Sequence, residues 1–275
     1  MTKIAVAQMQ SGIDPHAKAA YVVRLAEEAA EGGAKILFTP EMTGLLDRDR
    51  KRASAAITLE SDDPTLKAAL EAAKQNGILI SIGSLALQSG AGGEWVNRSI
   101  LIDAEGQIAA RYDKMHMFDV DLDSGESWRE SNAYKAGDTV SVVGTPAGKL
   151  GLSICYDIRF PALFEQLGRA ECDIIAIPAA FTVPTGKAHW HVLQRARAIE
   201  ASAYIVAAAQ VGRHEDGRET YGHSLVIDPW GEVLLDMGGE NTGLGFAEID
   251  PDRIAKVRSQ VPSLANRRPV PGHAA

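Results

Sequence analysis

The chain has 275 residues, 45% hydrophobic and 23% charged, with a formal net charge of −8 from 36 acidic and 28 basic side chains. No run approaches the ~20 apolar residues of a membrane span. An acidic surface repels phosphate backbones, so membrane and nucleic acid are both set aside as partners. Two cysteines cannot build a disulfide framework, and the opening MTKIAVAQMQSG lacks a hydrophobic signal core, so the expected location is cytoplasmic.

Short apolar, β-branched runs alternate with helical patterns, which predicts an α/β layered fold. Residues 3–9, KIAVAQM, predict a buried strand, and residues 15–31 a helix with Pro15 in its first turn. A second strand is expected at 35–39 and a second helix at 63–77, ending on Gly77. Strand 78–84 follows, then NRSILI and IAARY around the turn DAEGQ at 103–107. The second half has the same rhythm, with strand 149–154, helix 160–170, strand 173–178, helix 189–202 and strand 203–210. A hairpin is expected at 223–237 around Asp228-Pro229-Trp230-Gly231, then strand 243–249 and helix 250–260. The β-rich stretches at 95–113 and 221–249 add hairpin character that a pure Rossmann sheet lacks. No linker or repeat interrupts the chain, so residues 1–275 are expected to form one domain. Three loops, 40–63, 114–139 and 179–188, reach or approach the ~12 residues beyond which loops in compact domains tend to carry function.

Each of those loops adjoins a chemically pointed residue. In LGLSICYDIRFP (150–161) an apolar run ends on Cys155 and turns into a helical pattern. Such a junction exposes a nucleophile at the carboxyl edge of a sheet, with helix N–H groups that lower a thiol pKa. A cysteine after an apolar run is equally well a small core residue, and this segment alone leaves the choice open. Cys172, entering an apolar strand without polar companions, reads as core.

A thiol needs a base and an oxyanion stabiliser. His189 and His191, two apart on a helix, point about 200° from each other and cannot share a ligand, so they give no metal site. His116 is placed to line a site, and His223 reads as a structural or rim residue. The other base is Glu41, at the end of the strand in ILFTPEMTG, where partial desolvation would raise its pKa. Lys114, just past a strand in ARYDKMHMFDVD, is either a surface charge or a fixed cation facing the site.

Together, FTPEM, YDKMHMFD and GLSICYDIRFP resemble, in order, the glutamate, lysine and cysteine segments of the nitrilase superfamily, the carbon–nitrogen hydrolases. The likeness runs from KIAVAQMQ to the final helix. ESNAYKAGD, TGKAHWHVLQRARAIE and AAAQVGRHEDGRETYGHSLVIDPWG bring it nearest the branch of the deaminated glutathione amidases. The resemblance implies a four-layer α-β-β-α sandwich that pairs into a homodimer or homotetramer, with the helix after Cys155 and the tail 261–275 as interface elements. It implies a Glu41–Lys114–Cys155 triad acting on a small-molecule amide through a thioester, without metal or organic cofactor. A second glutamate completes the pattern at Glu130. The Tyr156 N–H is expected to help hold the oxyanion, and Phe181 and Thr182 to line the pocket. Among Arg159, Arg195, Arg197 and Arg213, the loop residue Arg213 is the expected partner of a substrate carboxylate. Omega-amidase, N-carbamoyl hydrolase and nitrilase activities fit the same triad. A cysteine–histidine hydrolase or a non-catalytic binding protein would not need it.

Overall fold

The structure is a computed structural model describing residues 1–90, 93–121, 123, 125 and 127–270. Residues 271–275 of the predicted interface tail lie outside the described residues.

In the first half the elements are β1 (Thr2–Gln8), α1 (Pro15–Glu31), β2 (Ile36–Phe38), α2 (Arg50–Ala56), α3 (Pro64–Asn76), β3 (Leu79–Ser89), β4 (Glu94–Ile102), β5 (Ile108–Asp113), β6 (Asp119–Asp121) and β7 (Ser127–Arg129). The second half contributes β8 (Val142–Thr145), β9 (Gly148–Leu152), α4 (Pro161–Arg169), β10 (Ile174–Ala176), α5 (Val183–Ala201), β11 (Tyr204–Ala207), β12 (Val211–Arg213), β13 (Glu219–Tyr221), β14 (Leu225–Ile227), β15 (Val233–Asp236), β16 (Gly243–Ile249) and α6 (Pro251–Gln260).

Two six-stranded sheets result, in the orders β16-β1-β2-β3-β4-β5 and β15-β14-β11-β10-β9-β8. Each has a parallel heart, β1-β2-β3 or β9-β10-β11, with antiparallel strands on both flanks. The pleat divides the apolar residues between layers. Ile4 and Val6 of β1 join Ile36, Phe38, Leu150, Leu152 and Ile174 in a core shared by the sheets and reaching α4 and α5. Ala5 and Ala7 face the other way, onto Val22, Leu25 and Ala26 of α1 and Leu66, Ala69 and Ala73 of α3. The layers are therefore α-β-β-α, as the family resemblance implies.

Helix ends follow local chemistry. Asp14, Asp63 and Asp250 cap α1, α3 and α6 with their carboxylates, each with a proline behind it, and Gly77 closes α3 at φ +60°. Two predictions need correction. The loop 40–63 contains α2, hidden in the polar run RKRASAA and nucleated by Asp49, whose carboxylate accepts the Lys51 and Arg52 N–H groups. Helix α5 begins at Val183 rather than 189, because Pro184 pre-sets its first turn and Gly186 allows contact with Tyr221, whose ring would overlap an added Cβ.

Candidate active site

The carboxyl ends of β2, β5, β9 and β10 meet where the two sheets abut. Glu41 lies in the turn after β2, pinned by a bulge in β3. There the Ser84 hydroxyl accepts the Met42 N–H at 2.9 Å and the Ser84 carbonyl accepts the Thr43 N–H at 2.9 Å. Gly83 is required in that bulge, since a Cβ would overlap the Thr39 carbonyl oxygen. From the other half, the Gln210 amide donates to the Glu41 carbonyl at 2.9 Å.

Lys114 follows β5 directly and is 2% exposed. Its Nζ lies 2.9 Å from Glu41 Oε1 and 2.9 Å from Glu130 Oε2. Glu130 opens a one-turn helix after β7, and its Oε2 accepts the Phe118 N–H at 2.7 Å. Glu41 Oε2 accepts the Ala180 N–H from beyond β10 at 2.9 Å, so the first sheet's carboxylate is held by the second sheet's backbone.

Cys155 stands just past β9 in the left-handed region, φ +47°, with its N–H on the Pro178 carbonyl at 2.8 Å. A non-glycine residue there is strained, and the sheet-to-turn junction holds it. The chain then runs through a short 3-10 turn, Cys155–Arg159, and not into the head of a long helix. Asp157 in that turn is fully buried and accepts from the Ile154 N–H, the Tyr112 hydroxyl and the His116 N–H. His116 also places Nδ1 2.7 Å from Asp157 and stacks on Phe160, which makes it part of the scaffold beneath the turn.

The electrostatics correct two expectations. Burial works to raise the Glu41 pKa, but the Lys114 ammonium, the Cys155 thiol and the Ala180 N–H together hold it below its ordinary value. Burial and the Glu41 charge push the Cys155 thiol well up, against the pull of Lys114. The short turn does not offset them. Lys114 stays an ammonium because Glu130, Glu41 and Cys155 outweigh its own desolvation. The resting site thus holds a thiol, two carboxylates and one ammonium.

Above these groups opens a cavity of about 270 Å³, lined by all four, by Tyr156, Phe181 and Thr182, and by Trp95, Phe118, Trp128 and Tyr134. Phe181 packs on Trp190 with ring centroids 4.9 Å apart, and the Thr182 hydroxyl lies 2.7 Å from that of Thr185. Arg213 is absent from the lining. It is exposed on β12, its carbonyl accepting from Gln10, because the strand turns that side chain away. Arg195 is bonded to the Gly231 carbonyl, Arg197 to the Ile158 carbonyl and Glu200, and Arg159 lies 3.3 Å from His189. The cationic lining comes instead from Arg48, Arg50, Arg129 and Arg218. Arg48 and Arg218 lie 5.8 and 4.9 Å from the Trp128 ring centroid, and Asp216 accepts from the Arg48 backbone and the Arg218 guanidinium.

The arginines and tryptophans of this lining escaped the sequence reading, and so did one residue in contact with the two glutamates. Asn97, fully buried on β4, donates through Nδ2 to Glu41 at 3.0 Å and to Glu130 at 3.1 Å. The available signal was a polar residue at an inward position of the apolar strand VNRSILI.

A carbon–nitrogen hydrolase family model matches residues 3–259. The deaminated glutathione amidase of Synechocystis sp. is 41% identical over 246 residues, covering 88% of this chain and 89% of that protein. The enzyme of the same name from Yersinia enterocolitica is 37% identical over 270 residues, covering 96% and 92%. Among solved structures, the C. elegans NitFhit protein superposes with a TM-score of 0.89 at 35% identity, over 97% of this chain and 65% of that one.

Proposed function

The chain belongs to the carbon–nitrogen hydrolase family, whose members matched here act on amides, and from that premise we propose that Glu41, Lys114, Glu130 and Cys155 hydrolyse a small carboxylate-bearing amide of the deaminated glutathione type. The observation that carries this reading is the buried ammonium held 2.9 Å from each of two carboxylates, beside a cysteine at a strained strand end.

Glu41, ionised at rest, takes the proton from the thiol as Sγ attacks the amide carbon. The developing oxyanion is held by the Lys114 ammonium and the Tyr156 N–H. Glu41 then passes its proton to the departing amine, leaving a thioester on Cys155. Water then gives a proton to Glu41 as its oxygen attacks the thioester carbon, the C–S bond breaks to release the acid, and Glu41 returns the proton to Sγ. Glu130 and Asn97 keep Lys114 and Glu41 in register through each charge change. Removal of one oxyanion donor of this kind typically costs ~10²–10³ in turnover. Every proton transfer in this scheme passes through Glu41, and the scheme uses no cofactor.

For the substrate, Arg48 and Arg218, both beside Trp128, replace Arg213 as the cations meeting a free carboxylate. In deaminated glutathione the scissile amide joins a 2-oxoglutaryl group to cysteinylglycine, so each end carries a carboxylate. We place the enzyme in a reducing, cytoplasmic setting, in keeping with two buried free thiols. No helix among the described residues is long and apolar enough to cross a membrane. The exposed apolar side chains Val192, Ile199, Trp230, Val233 and Leu234 support homodimer formation.

The test is release of 2-oxoglutarate from deaminated glutathione and from 2-oxoglutaramate, each with a Cys155→Ala control. A higher kcat/KM on deaminated glutathione is expected. Preference for 2-oxoglutaramate would move the protein to the omega-amidases.

A further inference from the structure

Away from the amidase groups, three side chains from separate elements converge. His191 comes from α5, His223 from the residue pair before β14, and Asp236 from the end of β15. Their ligand atoms all lie within 4.8 Å of one another. His191 Nε2 is 3.0 Å from Asp236 Oδ2, and His223 Nδ1 is 2.9 Å from Asp236 Oδ1. None of the three lines the catalytic cavity.

We infer that His191, His223 and Asp236 form a binding site for one divalent transition-metal cation, of which zinc is the best match. Two imidazoles and a carboxylate are a donor set that zinc takes, with bonds of ~2.0–2.2 Å and therefore donor separations of roughly 3.3–3.6 Å in a tetrahedron. The observed His–carboxylate spacings would open by only a few tenths of an ångström. The side chains remain 35%, 25% and 34% exposed, for His191, His223 and Asp236, which leaves an entry path and room for water as a further ligand.

The donors are held from behind, as metal ligands are. Trp190 is fully buried, precedes His191 in the chain, and donates its indole N–H to the His223 carbonyl at 2.8 Å, so one core anchor sets both imidazoles. His223 is held at φ +53°, its N–H on the Gly238 carbonyl at 2.7 Å. The Tyr221 ring stacks on His223 at 4.4 Å and meets His191 edge-on. Asp236 Oδ1 also accepts the Gly238 N–H at 2.9 Å. A cation here would displace the protons shared between the imidazoles and the carboxylate. It would tie α5 to the edge hairpin β14–β15.

The test is a titration of untagged full-length protein, in its native assembly, with cobalt(II) followed by competition with zinc(II). One equivalent of cobalt is expected, giving visible d–d absorption without the ultraviolet charge-transfer band of a thiolate ligand. Zinc in excess should displace it and raise the melting midpoint by a few degrees. His191→Gln, on a partly exposed helix face, and Asp236→Asn should each weaken binding at least ~10-fold, and melting in the presence of a chelator confirms that both remain folded. Absence of saturable binding would overturn the inference. So would affinity retained in both variants, or a thiolate band, which would place the metal at a cysteine.

Discussion

The floor and the mouth of the cavity are built on different principles. On the floor, Glu41, Lys114 and Cys155 are buried, Glu130 nearly so, and each follows a strand or is tied to backbone from a second element. At the mouth, Arg48 and Arg50 come from α2 and its approach, Arg129 from the end of β7 and Arg218 from the loop before β13; Arg48 and Arg218 rest on Trp128, while Arg129 pairs with Asp121. In the proposed mechanism the buried floor positions the reacting atoms, where a misplacement of about 1 Å is costly. On the proposed reading, the mouth selects which amide enters. Floor substitutions should therefore appear in kcat and mouth substitutions in KM.

The sharpest break in that comparison comes from Cys155→Ala, expected to lower hydrolysis by ~10⁶-fold with an unchanged melting curve, read by product release and calorimetry. Next, Glu41→Gln should cost ~10⁴-fold. In the unaltered enzyme kcat/KM should stay flat across neutral pH and fall only below the ordinary carboxylate range, because the base is already ionised with a depressed pKa. A limb near pH ~6.5 would mark a histidine base instead and sink the carboxylate assignment. Asn97→Leu, which leaves Lys114 in place but frees Glu41 and Glu130 from their shared donor, should lower kcat by ~10–100-fold with little change in KM. Arg218→Ala should do the reverse, raising KM for a dicarboxylate amide ~10–100-fold at nearly constant kcat. An equal effect of Arg218→Ala on a neutral amide would erase the distinction between floor and mouth.

The smallest effect concerns pH and stability. His214 is buried between the Ser11 carbonyl and the Thr220 hydroxyl, both at 2.8 Å, and burial, with Arg218 nearby, lowers its pKa from 6.5. The unfolded chain takes up that proton first, so the stability is complete above about pH 6.5 and is lost as pH falls toward the folded value. Melting midpoints should decline over that window, and His214→Gln should flatten the decline. Because Thr220 lines the cavity, this is also the point where mouth and scaffold touch.

The same division explains what was readable in the sequence. Strand ends announce themselves, since apolar runs stop at a polar residue, and so Glu41, Lys114 and Cys155 were candidates singly and became a triad through the ordered resemblance of their three segments to one family. Alternating periods gave an α/β layered fold, the family resemblance gave the α-β-β-α order, and Asp-Pro pairs marked the helix starts. Asn97 was hidden because one polar residue inside a strand carries no sign of the two carboxylates it will meet. Arg218 was hidden because its role depends on Asp216 and on Trp128, which stands far back in the chain. The thiol's raised pKa was missed for a related reason. A helix dipole is a local inference, whereas the Glu41 charge arrives from another sheet.

That sheet-to-sheet arrangement bears on how the protein is made. Glu41, Asn97, Lys114 and Glu130 all emerge from the ribosome before Cys155, and the Ala180 N–H that steadies Glu41 emerges later still. A half-synthesised chain therefore carries its acid–base apparatus without a nucleophile. On the proposed mechanism the thiol becomes reactive toward amides only once the second sheet has closed over the first, so amide hydrolysis would report completed folding.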